Sequence, residues 1–441
     1  MRLLLLGLIG IAATAQTVSG VILYSPEGNR LRRYDIDSIV QPPLREDVFI
    51  ERAGLDAENG RDVNGEVCPF PDDSGRFVMG EDTGQPDVPP GWGVFSPAGL
   101  QIGKLTATYF VEPQGDPFGC AFDAQGRLFT TEIGNSAMGP ATGQLIVWFP
   151  PFDTYPGEPG TYPNGAHSTN FCKISSEIAT ATSLAIDAEG RLYVVSARGG
   201  GGTSGGTVLR FSPPFPTAPT PEGGCSTVDA LGSPVADVVN REVFIFDTNA
   251  ATPSGLAQAP NGNWYVASVL TGVIAEYDPN GVFVRRVLEP ELGGSLPWAT
   301  GHPQGLAVDA DGNLFYADLN LRLGPRGIGP GPNGSVRWIA FDAQNTPAPP
   351  VVIKEHLAFP DALGLFPGSL PPCTEGCAPA CVGDCNGNGQ INIAELVTGV
   401  SIALGDAQLD ICALLDRNES ARVEIGELIA TVAAALHGCP T

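Results

Sequence analysis

Four stretches of the chain share one order of apolar and polar positions: a short apolar run, a tight turn carrying Asp or Asn and Gly, and a second apolar run. They are Pro117-Phe-Gly-Cys-Ala-Phe-Asp-Ala-Gln-Gly-Arg-Leu-Phe129, Ala181-Thr-Ser-Leu-Ala-Ile-Asp-Ala-Glu-Gly-Arg-Leu-Tyr193, Pro253-Ser-Gly-Leu-Ala-Gln-Ala-Pro-Asn-Gly-Asn-Trp-Tyr265 and Pro303-Gln-Gly-Leu-Ala-Val-Asp-Ala-Asp-Gly-Asn-Leu-Phe315. A third apolar run follows each, such as Gln144 to Trp148 and Thr207 to Phe211. Each unit predicts a small antiparallel sheet. One such sheet cannot bury both faces alone, so the units are expected to stack radially as propeller blades. Two weaker copies are legible. Glu66 to Val78 keeps the turn and second strand, and Val21 to Tyr24 with Arg30 to Tyr34 supplies second and third strands without a first. The missing strand is found at the far end, in Pro360-Asp-Ala-Leu-Gly-Leu365. The expected fold is mainly β: a six-bladed β-propeller over residues 16–366, closed by its C-terminal strand, with a small helical domain behind it.

Between blades the chain inserts Gly- and Pro-rich segments, Pro150–Thr169, Pro213–Asn240 and Leu319–Gly334, and the run Gly199–Gly206 reads as a loop. Asp123, Asp187 and Asp309 sit in the repeated turns, where such residues cap backbone N–H groups. Cys68 and Cys120 hold similar places on first strands of adjacent blades, and Cys172 and Cys225 lie beyond two third strands. These positions suggest the pairs 68–120 and 172–225, although four cysteines allow three connectivities.

The units resemble the NHL-repeat and gluconolactonase (regucalcin-like) group of six-bladed propellers. That resemblance implies a channel mouth shared by the openings of first strands and the ends of second strands. The residues ending second strands read Ser25, Glu81, Glu132, Ser196, Ser268 and Asp318; the openings add His302 and Asp361. Glu81, Glu132, Asp318 and Asp361 would come from neighbouring blades, where convergent carboxylates can hold a divalent cation; the other reading is an acidic rim that keeps the surface soluble. Gluconolactonase-like enzymes carry Asn and carboxylate ligands at these openings, whereas Ser254 and Gln304 stand at two of them here. The peptide-amidating lyases, also six-bladed, need several zinc histidines; of His167, His302, His356 and His437 only His302 opens a blade.

From residue 367 the pattern changes. A Pro- and Cys-rich linker, 367–380, precedes a cysteine-dense segment, 381–439. Asp384, Asn386, Asn388, Gln390, Asn392 and Glu395 fall at positions one, three, five, seven, nine and twelve of a calcium loop. Gly389 stands at its sharp turn, and a helix follows. Thirty-two residues on, Asp416, Asn418, Ser420, Arg422, Glu424 and Glu427 repeat the spacing in degraded form, with Ala421 for the turn glycine. This second loop is either a weaker site or a packing partner without metal. Two such loops, each with one helix, resemble a type I dockerin and imply Ca²⁺ and a cohesin-like partner. The Ser-Thr pairs through which cellulosomal dockerins grip cohesins are replaced by Ile393-Ala394 and Ile425-Gly426. Cys381, Cys385, Cys412 and Cys439 bracket the loops, as disulfides or, by the spacing of the first two, as zinc ligands.

Two further features place the chain. Met1-Arg2, an apolar run from Leu3 and the Ala13-Thr14-Ala15 site read as a signal peptide over residues 1–15, so a secreted, periplasmic or cell-surface protein is expected. A net charge of −25 argues against nucleic acid and anionic membranes, which reward clustered Lys and Arg; no run is long enough to span a bilayer. Three functions remain open: a binding or surface-attached propeller whose face takes a small molecule, glycan or protein; a gluconolactonase-like hydrolase or lyase with a channel metal; and a dockerin-bearing component of an extracellular assembly.

Overall fold

The protein is seen in a computed structural model that describes residues 21–28, 30–40, 44–51, 62–72, 74–82, 91–105, 117–133, 143–152, 170–197, 206–219, 239–291, 294–325, 327–368, 370, 383, 385, 391–405, 407, 409, 412, 415, 422–423 and 425–437. The signal-peptide segment and Cys225 lie outside them.

Six four-stranded antiparallel sheets form the propeller. From inner to outer strand, blade 2 runs Asp62–Pro69, Phe77–Asp82, Gly91–Phe95 and Gln101–Leu105; blade 3 runs Pro117–Phe122, Leu128–Glu132, Gly143–Trp148 and Phe171–Ile178. Blade 4 follows with Ala181–Ile186, Leu192–Ser196, Gly206–Ser212 and Asn240–Asp247, and blade 5 with Pro253–Gln258, Trp264–Ser268, Val273–Tyr277 and Phe283–Leu288. Blade 6 comprises Pro303–Val308, Leu314–Asp318, Gly334–Ile339 and Val351–Leu357. Blade 1 joins the two ends of the ring: Gly364–Pro367 is its inner strand, followed by Val21–Glu27, Arg30–Asp35 and Glu46–Glu51. Leu365 pairs with Leu23 and Phe366 with Ile22, so the ring is closed by its C-terminal strand.

Each blade junction holds its own apolar cluster. Val78 and Trp92 of blade 2 meet Leu128 and Trp148 of blade 3; Tyr193 of blade 4 packs tilted against Trp264 of blade 5 with ring centroids 4.1 Å apart. The last cluster joins Phe315 and Val336 of blade 6 to Leu23 and Tyr34 of blade 1. Cys68 and Cys120 are disulfide-bonded across blades 2 and 3, and Cys172 is also in a disulfide.

The repeated Pro-x-Gly opening has a packing reason. In blades 3 to 6 the inner strand bulges there: Pro117 to Cys120 lies opposite the shorter step from Glu132 to Thr130, and the other three blades repeat this. A Cβ on Gly119 would stand 2.6 Å from the Thr182 carbonyl oxygen, and one on Gly255 2.4 Å from that of Gln304. In blades 3, 5 and 6 the bulge thus sets the inner strand against the backbone of the next, where glycine fits, while blade 4 carries Ser183 at the matching place.

Helix α1 (Ile36–Val40) is a short turn within blade 1, between its third and outer strands. Helices α2 (Ile393–Leu404) and α3 (Ile425–His437) form the C-terminal piece with a core of Ile402, Cys412, Leu415 and Val423. Among the described residues no helix is long and apolar enough to cross a membrane.

Candidate functional site at the channel mouth

Strand pairing defines the mouth. The start of each inner strand lies opposite the end of the second: Asp62 and Val63 face Asp82 and Glu81, Pro117 faces Glu132, Ala181 faces Ser196, Pro253 faces Ser268 and Pro303 faces Asp318. In blade 1 the bridge is Pro360 to Glu27. Glu27, and not Ser25, therefore holds this place, because the second strand of blade 1 runs two residues further than its apolar run suggests.

The carboxylates at this level are buried and engaged by strands of the propeller. Glu27 accepts from Arg32 Nε at 3.0 Å and the Tyr34 hydroxyl at 2.9 Å. Burial pushes the Glu27 carboxyl above its ordinary value, against the pull of Arg32. Glu81 accepts from Gln101 Nε2 at 2.9 Å and lies 3.2 Å from Lys104 Nζ, both on the outer strand of its own blade. Glu132 accepts from the Trp92 indole at 3.1 Å across the junction. Asp318 takes four donors: the His302 and Asn320 backbone N–H groups at 2.7 and 2.8 Å, the Ser335 hydroxyl at 2.8 Å and Arg337 at 3.0 Å. Asp361 reaches from the closing segment to the Gly65 N–H at 3.0 Å.

His302 is fully buried, stacked on Trp298 at 4.6 Å, and its Nδ1 accepts from the Leu321 N–H at 3.1 Å. With Nδ1 accepting, the neutral ring carries its proton on Nε2, which is buried without a hydrogen-bond partner. Burial holds the imidazole below its ordinary value, with Asp318 opposing and Arg337 reinforcing. The ring thus fixes the base of a hairpin, Arg322–Gly324 with Gly327–Gly329, inside the segment read as an insertion.

Glu81, Glu132, Asp318 and Asp361 do not converge into a group of three close ligands. Among the described residues the one such group is Glu66, Cys68 and Cys120, whose ligand atoms lie within 4.8 Å, and its two sulfurs are bonded to each other. Glu66 was legible only as the start of a degraded repeat. The inner strand of blade 2 expels one residue more than the others, with Asn64 to Val67 set against the single step from Gly80 to Met79. Glu66 is thereby turned into the ring, where it accepts from the Cys120 N–H at 3.0 Å and the Ser183 hydroxyl. Burial pushes its carboxyl up to about 8 despite these donors, and Asp361 adds to the rise.

In the C-terminal piece, Asp384, Asn386, Asn388, Gln390, Asp416, Asn418, Ser420 and Glu424 lie outside the described residues, as do Cys381 and Cys439. Cys385 and Cys412 are disulfide-bonded, so Cys385 is no zinc ligand in this state. Helix α2 is capped at both ends. The Asn392 side chain caps α2 by accepting from Ala394 and Glu395 N–H groups, and Gly405 ends the helix in a left-handed turn. Glu395 is 5% exposed and points back at the loop, accepting from the Cys385 N–H at 3.0 Å and the Asn392 N–H at 2.9 Å. A twelfth-position carboxylate so placed fits a hard cation held by the loop. Glu427 is buried at the matching place on α3, while Arg422 is exposed.

No family model and no curated protein matches the chain. Solved propellers resemble it in fold. A chain of a nidogen/laminin complex is 12% identical with a TM-score of 0.47 over 80% of this chain and 100% of that one. The calcium-binding protein regucalcin from Agrobacterium tumefaciens is 14% identical, TM-score 0.37, over 68% and 85%. A gluconolactonase from Xanthomonas campestris is 15% identical, TM-score 0.37, over 70% and 84%.

Proposed function

We propose that the chain is a secreted, non-enzymatic binding propeller, carried by a C-terminal module that folds around calcium. The observation that supports the first half is the engagement of the mouth carboxylates. Glu27, Glu81, Glu132 and Asp318 each have an acceptor oxygen on a fixed donor of the propeller wall. A hydrolytic site needs at least one such group aimed at a metal or a substrate proton. The test is a panel of sugar lactones offered to the full chain with calcium, magnesium, manganese or zinc. Acid release above the uncatalysed rate that disappears in Asp361→Asn would overturn this reading in favour of a gluconolactonase-like enzyme.

The orientation of Glu395 supports the second half. Asp384 and Glu395 bring the formal charge to the first loop and the Asn ligands are neutral, so a dissociation constant of about 10⁻⁵–10⁻³ M is expected. Calcium at ten times that constant adds about 1.4 kcal/mol to the folded state. Glu395→Gln should abolish most of the gain in the full chain, and Glu427→Gln much less. Equal losses, or no calcium heat in the unmodified chain, would reject the assignment.

A further inference from the structure

Each C-terminal helix leaves a seam of large apolar side chains in water. On α2 it is Ile393, Val397, Val400 and Leu404, between 47% and 78% exposed; the same spacing recurs on α3 from Ile425 to Leu436, between 45% and 78% exposed. Steps of four, three and four residues place each set on one stripe of its helix. The stripe lies opposite the side each helix gives to its own core: Glu395, Gly399 and Ile402 on α2, Glu427 and Thr431 on α3. The only carboxylates on the two helices are these buried ones, so the outward stripes carry none.

We infer that these stripes are where two copies of the chain meet, α2 of one lying along α3 of the other. Apolar stripes on both helices make the patch self-complementary, as a two-fold contact requires: residue i meets j while j meets i. Charge points the same way. A chain of net charge −25 repels its copy, and these helix faces let a second copy approach without setting carboxylate against carboxylate. The area suffices as well: the two seams expose on the order of 1,000 Å² per copy, against roughly 800 Å² per partner in a standard interface.

Light scattering and sedimentation of the full chain with calcium, through the micromolar range, test this. The expected result is a mass that doubles with concentration. Added salt should tighten the association, because it screens repulsion between like-charged copies and leaves the apolar contact intact. Val397→Glu with Val432→Glu sets charge against charge and should weaken association by roughly a hundredfold or more. Val397→Thr with Val432→Thr, a milder change, should weaken it without loss of helical circular dichroism. A chain that stays monomeric, or a dimer that survives both double variants with the helices intact, overturns the inference. So does a monomer that instead binds neutral lipid vesicles through this face.

Discussion

The propeller uses carboxylates at both ends of its second strands, and the two ends work differently. On the turn side, Asp123 accepts from Gln125 and Arg127 N–H groups, Asp187 from Glu189 and Arg191, and Asp309 from Asp311 and Asn313. Every one of these donors lies within four residues. On the mouth side three carboxylates reach partners far along the chain, Glu81 to Gln101, Glu132 to Trp92, and Asp318 to Ser335 and Arg337, while Glu27 reaches Arg32 and Tyr34 on the adjacent strand. The turn carboxylates fold a hairpin on itself, whereas the mouth carboxylates tie strands and blades together. The first arrangement is local to one hairpin; the second exists only once the blade is built.

If that contrast is right, breaking a mouth pair costs far more than breaking a turn. Lys104 and Glu81 are both almost fully buried, so Lys104→Ala should destabilise the chain by about 3–5 kcal/mol in urea unfolding, since it strands a buried charge. Lys104→Met with Glu81→Gln should recover most of this loss. A cost within experimental error of zero for Lys104→Ala would erase the contrast.

Glu66, inside the ring between the two ends, should show the effect as a pH dependence. Its carboxyl, at about 8 in the fold against an ordinary 4.5, holds a proton that the unfolded chain releases. Its contribution is therefore fully present below about pH 4.5 and lost as pH rises through about 8. Chemical denaturation of the parent across that window should show falling stability, and Glu66→Gln should flatten the fall. Identical profiles would mean that Glu66 is ionised in the fold. The smallest effect belongs to the turns: Asp309→Ala, which removes local backbone acceptors, should cost about 1 kcal/mol.

The sequence made the blade count, the ring closure and the Cys68–Cys120 bond legible, because each is written in a repeat or in matching places on neighbouring repeats. It also located the ends of four second strands, Glu132, Ser196, Ser268 and Asp318, and stopped one residue short of Asp82 in blade 2. What it missed follows from distance and exposure. The outer strands, such as Phe283–Leu288, have one face in water and no clean alternation, with Val284 48% exposed. The partners of Glu81 and Asp318 are set by register across strands, which no local pattern encodes. Glu81, Glu132, Asp318 and Asp361, read as an acidic mouth that holds a cation or keeps the rim soluble, each have a donor in the propeller. Glu66 stayed hidden because its role depends on one extra residue in a bulge. In the C-terminal piece, the cap and stop of α2 could be read from Asn392, Glu395 and Gly405 alone.

Closure by Gly364–Pro367 also orders events during protein synthesis. Val21–Glu27 emerges from the ribosome among the first strands, yet its inner neighbour is among the last parts of the propeller to be translated. Until then the nascent chain carries a bare strand edge of the kind that recruits other chains. A prematurely terminated message leaves that edge open for good, while a complete one covers it with its own tail. The position of the closing strand therefore makes concealment of the edge depend on translation having passed residue 367.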